Sequence, residues 1–338
     1  MKQKLKEIDT NKFLLWITIV MFFVMYLIGT IVFHDDGFAK PQVFLNLFTN
    51  NAGLIVIAVS MTMVLITGGI DISVGSMVAL HCMILADLMQ NKGMSMELAI
   101  LVVLIVGVIF GAVQGFLVAY LNIQPFIVTL AGMFFGRGMT AVISTEMISI
   151  SNEKFLNIAN NKINIPFGGN LNSHGVMMYP FVYPTVIIAF LVLIIMFIVL
   201  RFTKFGRNVY AVGGNQQSAL LMGLNVKRTK FQVYILDGFL VSIGGILFCL
   251  NTCAGFVEQA KGFEMEAIAG AVIGGTLLTG GVGNVFGSLF GVMIKGTIES
   301  FISFQGTLSS WWTKIVIALL LTFFIVLQSI FAKIKAKK

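Results

Sequence analysis

Ten apolar stretches dominate the chain, at 13–33, 52–67, 73–89, 98–121, 125–144, 177–200, 232–253, 266–279, 283–303 and 311–331. A bilayer core takes roughly 20 apolar residues per crossing helix, and inside it every backbone polar group must be satisfied within the protein. Runs of this length therefore dictate helices. Hydrophobic residues make up 58% of the 338 positions and charged residues 11%, against about 25% charged in a soluble domain. The expected fold class is an all-α integral membrane protein of about ten transmembrane helices, one polytopic domain over 1–338. The second, third and eighth segments are short, which predicts helices broken near the centre of the protein. The gaps after segments two, four and eight predict tight helical hairpins. The first run follows a basic start and lacks a small-residue cleavage site before His34-Asp35-Asp36, so it reads as an uncleaved span.

The charges set an orientation. Lys2, Lys4, Lys6 and Lys12 precede the first span, and Lys333, Lys335, Lys337 and Lys338 follow the last. Arg201, Lys204, Arg207, Lys227, Arg228 and Lys230 fill one loop, 201–231, without an acid between them. Ten spans place all three groups on one side, so the positive-inside rule makes both termini and this loop cytoplasmic. The 145–176 segment is then the main outer loop, a cap on the helices or a dock for an external partner. The net charge of +8 follows topology and gives no reason to expect a nucleic-acid partner. The expected surroundings are membrane lipid, in a cell membrane.

No GxxxxGK[ST] phosphate loop, HExxH or Cys/His cluster occurs, and no GxSxG lies beside a plausible triad. Neither a catalytic site nor a metal site is expected. Cys82, Cys249 and Cys253 fall in or beside apolar runs and read as small hydrophobes. An intramembrane enzyme is the weakest reading.

Two stretches echo each other. Residues 67–76 read TGGIDISVGS and residues 279–288 read TGGVGNVFGS. Both fall at turns between short segments, as an ancient duplication in a transporter would place them; chance in a Gly-rich chain is the plain alternative. The 201–231 loop contains a helical pattern over Gln216–Leu221, with Asn215 as N-cap and Gly223 with Asn225 to end it. Such a helix fits a groove on a soluble partner, or the loop is a basic tether that only fixes topology.

Charged residues within spans are costly unless paired or wet. Asp71 suits the start of segment three as a cap, and Arg137 faces the pathway or pairs with an acid such as Glu146. Lys295 and Glu299 share a helix face and neutralise each other. Glu266 and Asp237 lie near span ends, where water would solvate them. Trp311 and Trp312, with Ser309 and Ser310, offer flat faces and hydroxyls for a sugar, or form an interfacial belt. The translocation-path candidates are Asp71, Ser73, Arg137, Glu299, Trp311 and Trp312.

GRNVYAVGGNQQSALLMG (206–223) resembles the cytoplasmic loop of ribose- and galactose-type ABC importer permeases, where a G-R-x-x-x-A-x-G-x-N pattern marks the contact with the ATPase. LITGGIDISVGS (65–76) and IAGAVIGGTLLTGGVGNVFGSLFG (268–291) resemble the same family's early and late Gly-rich segments, in the family's order. The resemblance implies that Gly206, Arg207, Asn208, Ala211, Gly213, Gly214, Asn215, Ala219 and Gly223 form the coupling loop. Gly213 and Gly214 are expected at a close contact, with backbone that needs positive φ. Structural glycines are Gly68, Gly69, Gly75, Gly274, Gly275, Gly280, Gly281, Gly283 and Gly287. The implied partners are an ABC ATPase, an extracytoplasmic sugar-binding protein and a second permease subunit, identical or different. This chain needs no cofactor, because ATP and Mg reside on the ATPase. VTLAGMFFGRGM (128–139) and GTLSSWWTKI (306–315) resemble galactofuranose importer permeases, which implies a monosaccharide of that kind moved by alternating access. The rival is an ion-coupled secondary transporter; it would need paired intramembrane acids, and no such pairing is visible in the sequence.

Overall fold

A computed structural model describes residues 10–166, 168–171, 177–309 and 311–336. Lys2, Lys4, Lys6, Ser310, Lys337, Lys338 and part of the 145–176 loop, residues 167 and 172–176, lie outside the described residues. The helices are α1 (Thr10–Val32), α2 (Pro41–Ile66), α3 (Val74–Ala86), α4 (Met96–Ala119), α5 (Pro125–Ile143), α6 (Glu153–Ala159) and α7 (Pro184–Phe202). They continue with α8 (Lys204–Gly214), α9 (Gln216–Leu221), α10 (Val226–Thr252), α11 (Phe263–Ile273), α12 (Val285–Gln305) and α13 (Trp311–Ala336). Eight of them are long and apolar enough to cross a membrane. The remaining two expected segments are α3 and α11, both short as the sequence predicts, and α3 runs into a π-helical turn at Asp87–Asn91.

The second segment is not short. α2 spans 26 residues, about 39 Å at 1.5 Å per residue. Its first turns carry Gln42, Asn46, Asn50 and Asn51, which lower the hydropathy and hide the helix from a search for apolar runs. Protein supplies partners for three of them: the Gln42 side chain exchanges hydrogen bonds with the Phe181 backbone and donates to Asn46, and Asn51 donates to the Leu47 carbonyl. α2 is buried continuously from Asn51 to Ile66 and, with α10, forms the centre of the bundle. α1, α4, α5, α7 and α13 turn exposed apolar side chains such as Trp16, Ile109, Phe134, Ile195 and Leu319 outward, the pattern lipid demands. The sixth segment starts later than expected, at Pro184. Residues 177–178 and 181–182 form short strands instead (β4 and β5, pairing with β3 at Asn170–Leu171 and β2 at Ile163–Asn164).

Hairpin packing holds for α11 and α12, but α3 packs chiefly on α5 and α10 rather than back along α2. Small residues set the closest crossings. Gly107, Gly111 and Gly115 of α4 recur every fourth position and face Tyr234, Gly238 and Ser242 of α10; a Cβ on Gly111 would collide with the Tyr234 carbonyl. Gly270 of α11 and its C-cap Gly274 meet Gly291 and Gly287 of α12 in the same way. This is membrane packing by backbone approach.

At one end of the bundle sit α8 and α9. At the other, β1 (Ile148–Ser149) pairs with β6 (Ala254–Gly255), and α6 buries Phe155. Ser151 bonds Gln90 and Lys154 pairs with Glu97 there, so residues 148–155 pack over the helices at this α6 end.

Candidate functional site

The loop expected over 201–231 contains two helices, not one. Thr203 starts α8, its hydroxyl accepting from the Gly206 amide at 3.1 Å. Val209 and Val212 are buried on its inner face, and the Tyr210 hydroxyl donates to the Gly283 carbonyl at 2.8 Å. Asn215 then caps α9, accepting from the Ser218 amide at 2.8 Å. Gly223 closes α9 at φ +79°, and Asn225 caps α10 instead of ending α9, accepting from Arg228 at 2.8 Å. Ala219 is buried against Val212, Val226 and Leu224, while Lys230 reaches Gln216 at 2.8 Å.

The candidate coupling residues divide by direction. Gly206, Gly213 and Ala219 face the permease, Asn208 and Ala211 are half-buried, and Arg207, Gly214, Asn215 and Gly223 are exposed. Gly213 and Gly214 form the last turn of α8 and do not have positive φ. A Cβ on Gly213 would collide with the Ile66 carbonyl and lie 2.7 Å from the Gly281 amide, whereas one on Gly214 would meet nothing within 4 Å. The crest that does point outward is apolar: Leu220, Leu221 and Met222 are 64%, 88% and 67% exposed.

Gly213 sits where the two Thr-Gly-Gly turns touch. The Gly281 amide donates to the Ile66 carbonyl at 2.8 Å, and a Cβ on Gly280 would lie 3.0 Å from the Gly68 amide. Gly68, Gly275, Gly280 and Gly281 all have φ between 76° and 93°, conformations only glycine adopts without strain. Gly69 leaves room for the Tyr234 hydroxyl, Gly75 for the Glu264 carboxylate, and Gly283 for Ile66. The echo in sequence is thus a contact in space, with α8 seated on it.

A buried polar knot lies beside these turns. Asp71 accepts from the Ser73 amide at 2.7 Å and from its hydroxyl, and Gln114 donates to that hydroxyl at 3.0 Å. Ser73, not Asp71, is the N-cap residue of α3. Asp237, expected in solvent, is 1% exposed and accepts from Ser60; it lies near the buried Asp71. Neither acid forms an ion pair among the described residues. The structure therefore pairs two acids whose relation the sequence did not reveal, 166 residues apart being beyond any local spacing rule.

The third cluster lies toward the α6 end. Lys295 bridges Glu299 at 2.7 Å and Glu266 at 3.2 Å, and donates to Asn51 at 3.2 Å. The i,i+4 pair matches the sequence reading. Glu266, expected to be solvated, is instead drawn inward by Lys295. Arg137 does not pair with Glu146: it donates to the carbonyls of Val257 and Gln259, the second at 2.8 Å. The Lys261 ammonium, 2.8 Å from Glu258 in the same loop, holds that carboxyl below its ordinary range. Trp311 and Trp312 are both exposed on the first turn of α13.

Residues 43–325 match the family described as branched-chain amino acid transport system / permease component. The chain is 45% identical to the inner membrane ABC transporter permease protein YjfF of Escherichia coli, over 93% of this chain and 91% of that one. It is 36% identical to the fructose import permease protein FruG of Bifidobacterium longum, over 92% and 88%. Identity to the ribose import permease protein RbsC of Bacillus subtilis is 32%, over 87% and 86%. No solved structure matches the chain.

Proposed function

We infer the function from a premise of kinship: this chain belongs to the branched-chain amino acid transport system / permease component family. It is a multi-pass permease subunit of the cell inner membrane, of the sugar ABC importer kind, and not an enzyme. We propose that its cargo is galactofuranose or a related monosaccharide, on the likeness carried by residues 128–139 and 306–315. It works by alternating access with a second permease subunit, an extracytoplasmic binding protein, and an ATPase that carries ATP and Mg.

One observation carries the coupling assignment. α9 is a short, doubly anchored helix that holds Leu220, Leu221 and Met222 in solvent, where an unpartnered apolar crest has no stabilising role. Its root, Gly213, rests on both Thr-Gly-Gly turns. A push on α9 therefore reaches the turns that start α3 and α12 directly. The α8–α9 end is cytoplasmic in this reading and the α6 end faces outward. Leu221→Asp is expected to leave the permease folded while abolishing ATPase co-purification and sugar uptake; retention of both would make the segment a tether. The buried acids Asp71 and Asp237 are a feature an ion-coupled carrier would use. Uptake that survives ATP exhaustion under an intact proton gradient would favour that second reading.

A further inference from the structure

A cavity of about 600 Å³ opens at the α6 end between α11, α12 and α13, lined by Glu266, Glu299, Ser303, Trp311, Thr313 and Lys314 among others. Its volume falls in the roughly 300–1,000 Å³ range of small-molecule sites. Lys295 lies at the inner side, its side chain only 10% exposed, and continues inward to Asn51 on the central helix α2. Polar groups thus lead from the mouth of the cavity into the middle of the bundle. Ionisable groups placed this deep in a membrane protein mark a pathway more often than a packing need.

The charges balance: the two lining carboxylates, Glu266 and Glu299, both pair with Lys295 behind the lining, and Lys314 adds an ammonium on the lining itself. A balanced cavity does not favour an ion of either sign. It favours a neutral ligand rich in hydroxyl groups, for which carboxylates are the strongest acceptors and lysines supply donors. Trp311 adds an indole whose one face is covered by Lys314, 4.5 Å from the ring centre. A flat indole of this kind, 67% exposed, suits the apolar C–H side of a sugar ring.

We propose that this cavity is a carbohydrate-binding station on the import path, in which Glu266 and Glu299, bridged by Lys295, accept hydroxyl hydrogen bonds while Trp311 covers the sugar ring. The assignment rests on the proposed sugar import, which places this mouth where a binding protein releases its cargo.

The chain has three tryptophans, Trp16, Trp311 and Trp312. Trp16→Phe with Trp312→Phe leaves Trp311 as the sole reporter in the full chain, purified in detergent. Its emission is titrated with methyl galactofuranoside, D-galactose, D-fructose and D-ribose, and with glycine betaine as a control that lacks hydroxyls. A saturable change with at least one sugar and none with betaine is expected, weakened about tenfold by Glu299→Gln, the loss of one charged acceptor. In parallel, uptake of the same sugars is measured in vesicles holding the whole transporter. Glu299→Gln is expected to cut uptake about tenfold with ATPase co-purification unchanged. Wild-type uptake of a sugar with a flat Trp311 response, or with Glu299→Gln transporting normally, overturns the station and leaves the import reading standing. No uptake of any of the four sugars by the wild type counts against the import reading. In that case a flat Trp311 response overturns the station too, while a saturable one still places a sugar in the cavity.

Discussion

At Gly213 an added Cβ would strike the Ile66 carbonyl, and at the next residue, Gly214, it would touch nothing. Gly213→Leu is therefore expected to separate α8 from the Thr-Gly-Gly turns at a cost of about 1–3 kcal/mol, as overpacking does. Its apparent melting temperature in detergent should fall while Gly214→Leu matches the wild type. The buried acids Asp71 and Asp237 give a second contrast. Asp237→Asn offers Asp71 an amide donor and is expected to change stability by less than about 1 kcal/mol, whereas Asp237→Leu strands a buried acid at a cost of about 3–5 kcal/mol. Chemical or thermal unfolding of the purified chain distinguishes the two; equal losses would mean that Asp71 takes no hydrogen bond from position 237.

Among elements, the seam between α4 and α10 is the most demanding, because Gly107, Gly111 and Gly115 bring backbone onto backbone. Gly111→Leu is expected to prevent that approach, with size-exclusion chromatography showing loss of the monodisperse species. Gly138 on α5, with nothing near its Cβ position, is the matched control and is expected to tolerate Leu. The four-residue spacing of these glycines was available in the sequence as a small-residue seam, although which helix it faced was not. The caps Asn215 and Gly223 were legible because capping is local. α8 was not, because its polar and glycine-rich sequence has weak helix propensity and the helix is held by the burial of Val209 and Val212 on the bundle.

For the whole molecule, the charge pattern predicts opposite sides for the α9 and α6 ends. With Cys82, Cys249 and Cys253 replaced, single cysteines at positions 215 and 160 are expected to react with an impermeant thiol reagent from opposite faces of the membrane. Labelling of both from one face would break the orientation. The all-α membrane class, the order of the apolar helices, the caps at Asn215 and Gly223, the family and the lysine–glutamate spacing on α12 follow from the sequence alone. Each depends on hydropathy or on residues a few positions apart, and neither needs the fold. The length of α2, the burial of Asp237, the capture of Glu266 by Lys295, the diversion of Arg137 to backbone carbonyls and the close approach of Gly213 to Ile66 were decided by tertiary structure. In each case the partner comes from a distant part of the chain. A polar group in a membrane protein takes its environment from whichever helix happens to pack against it, and only the assembled bundle settles which one that is.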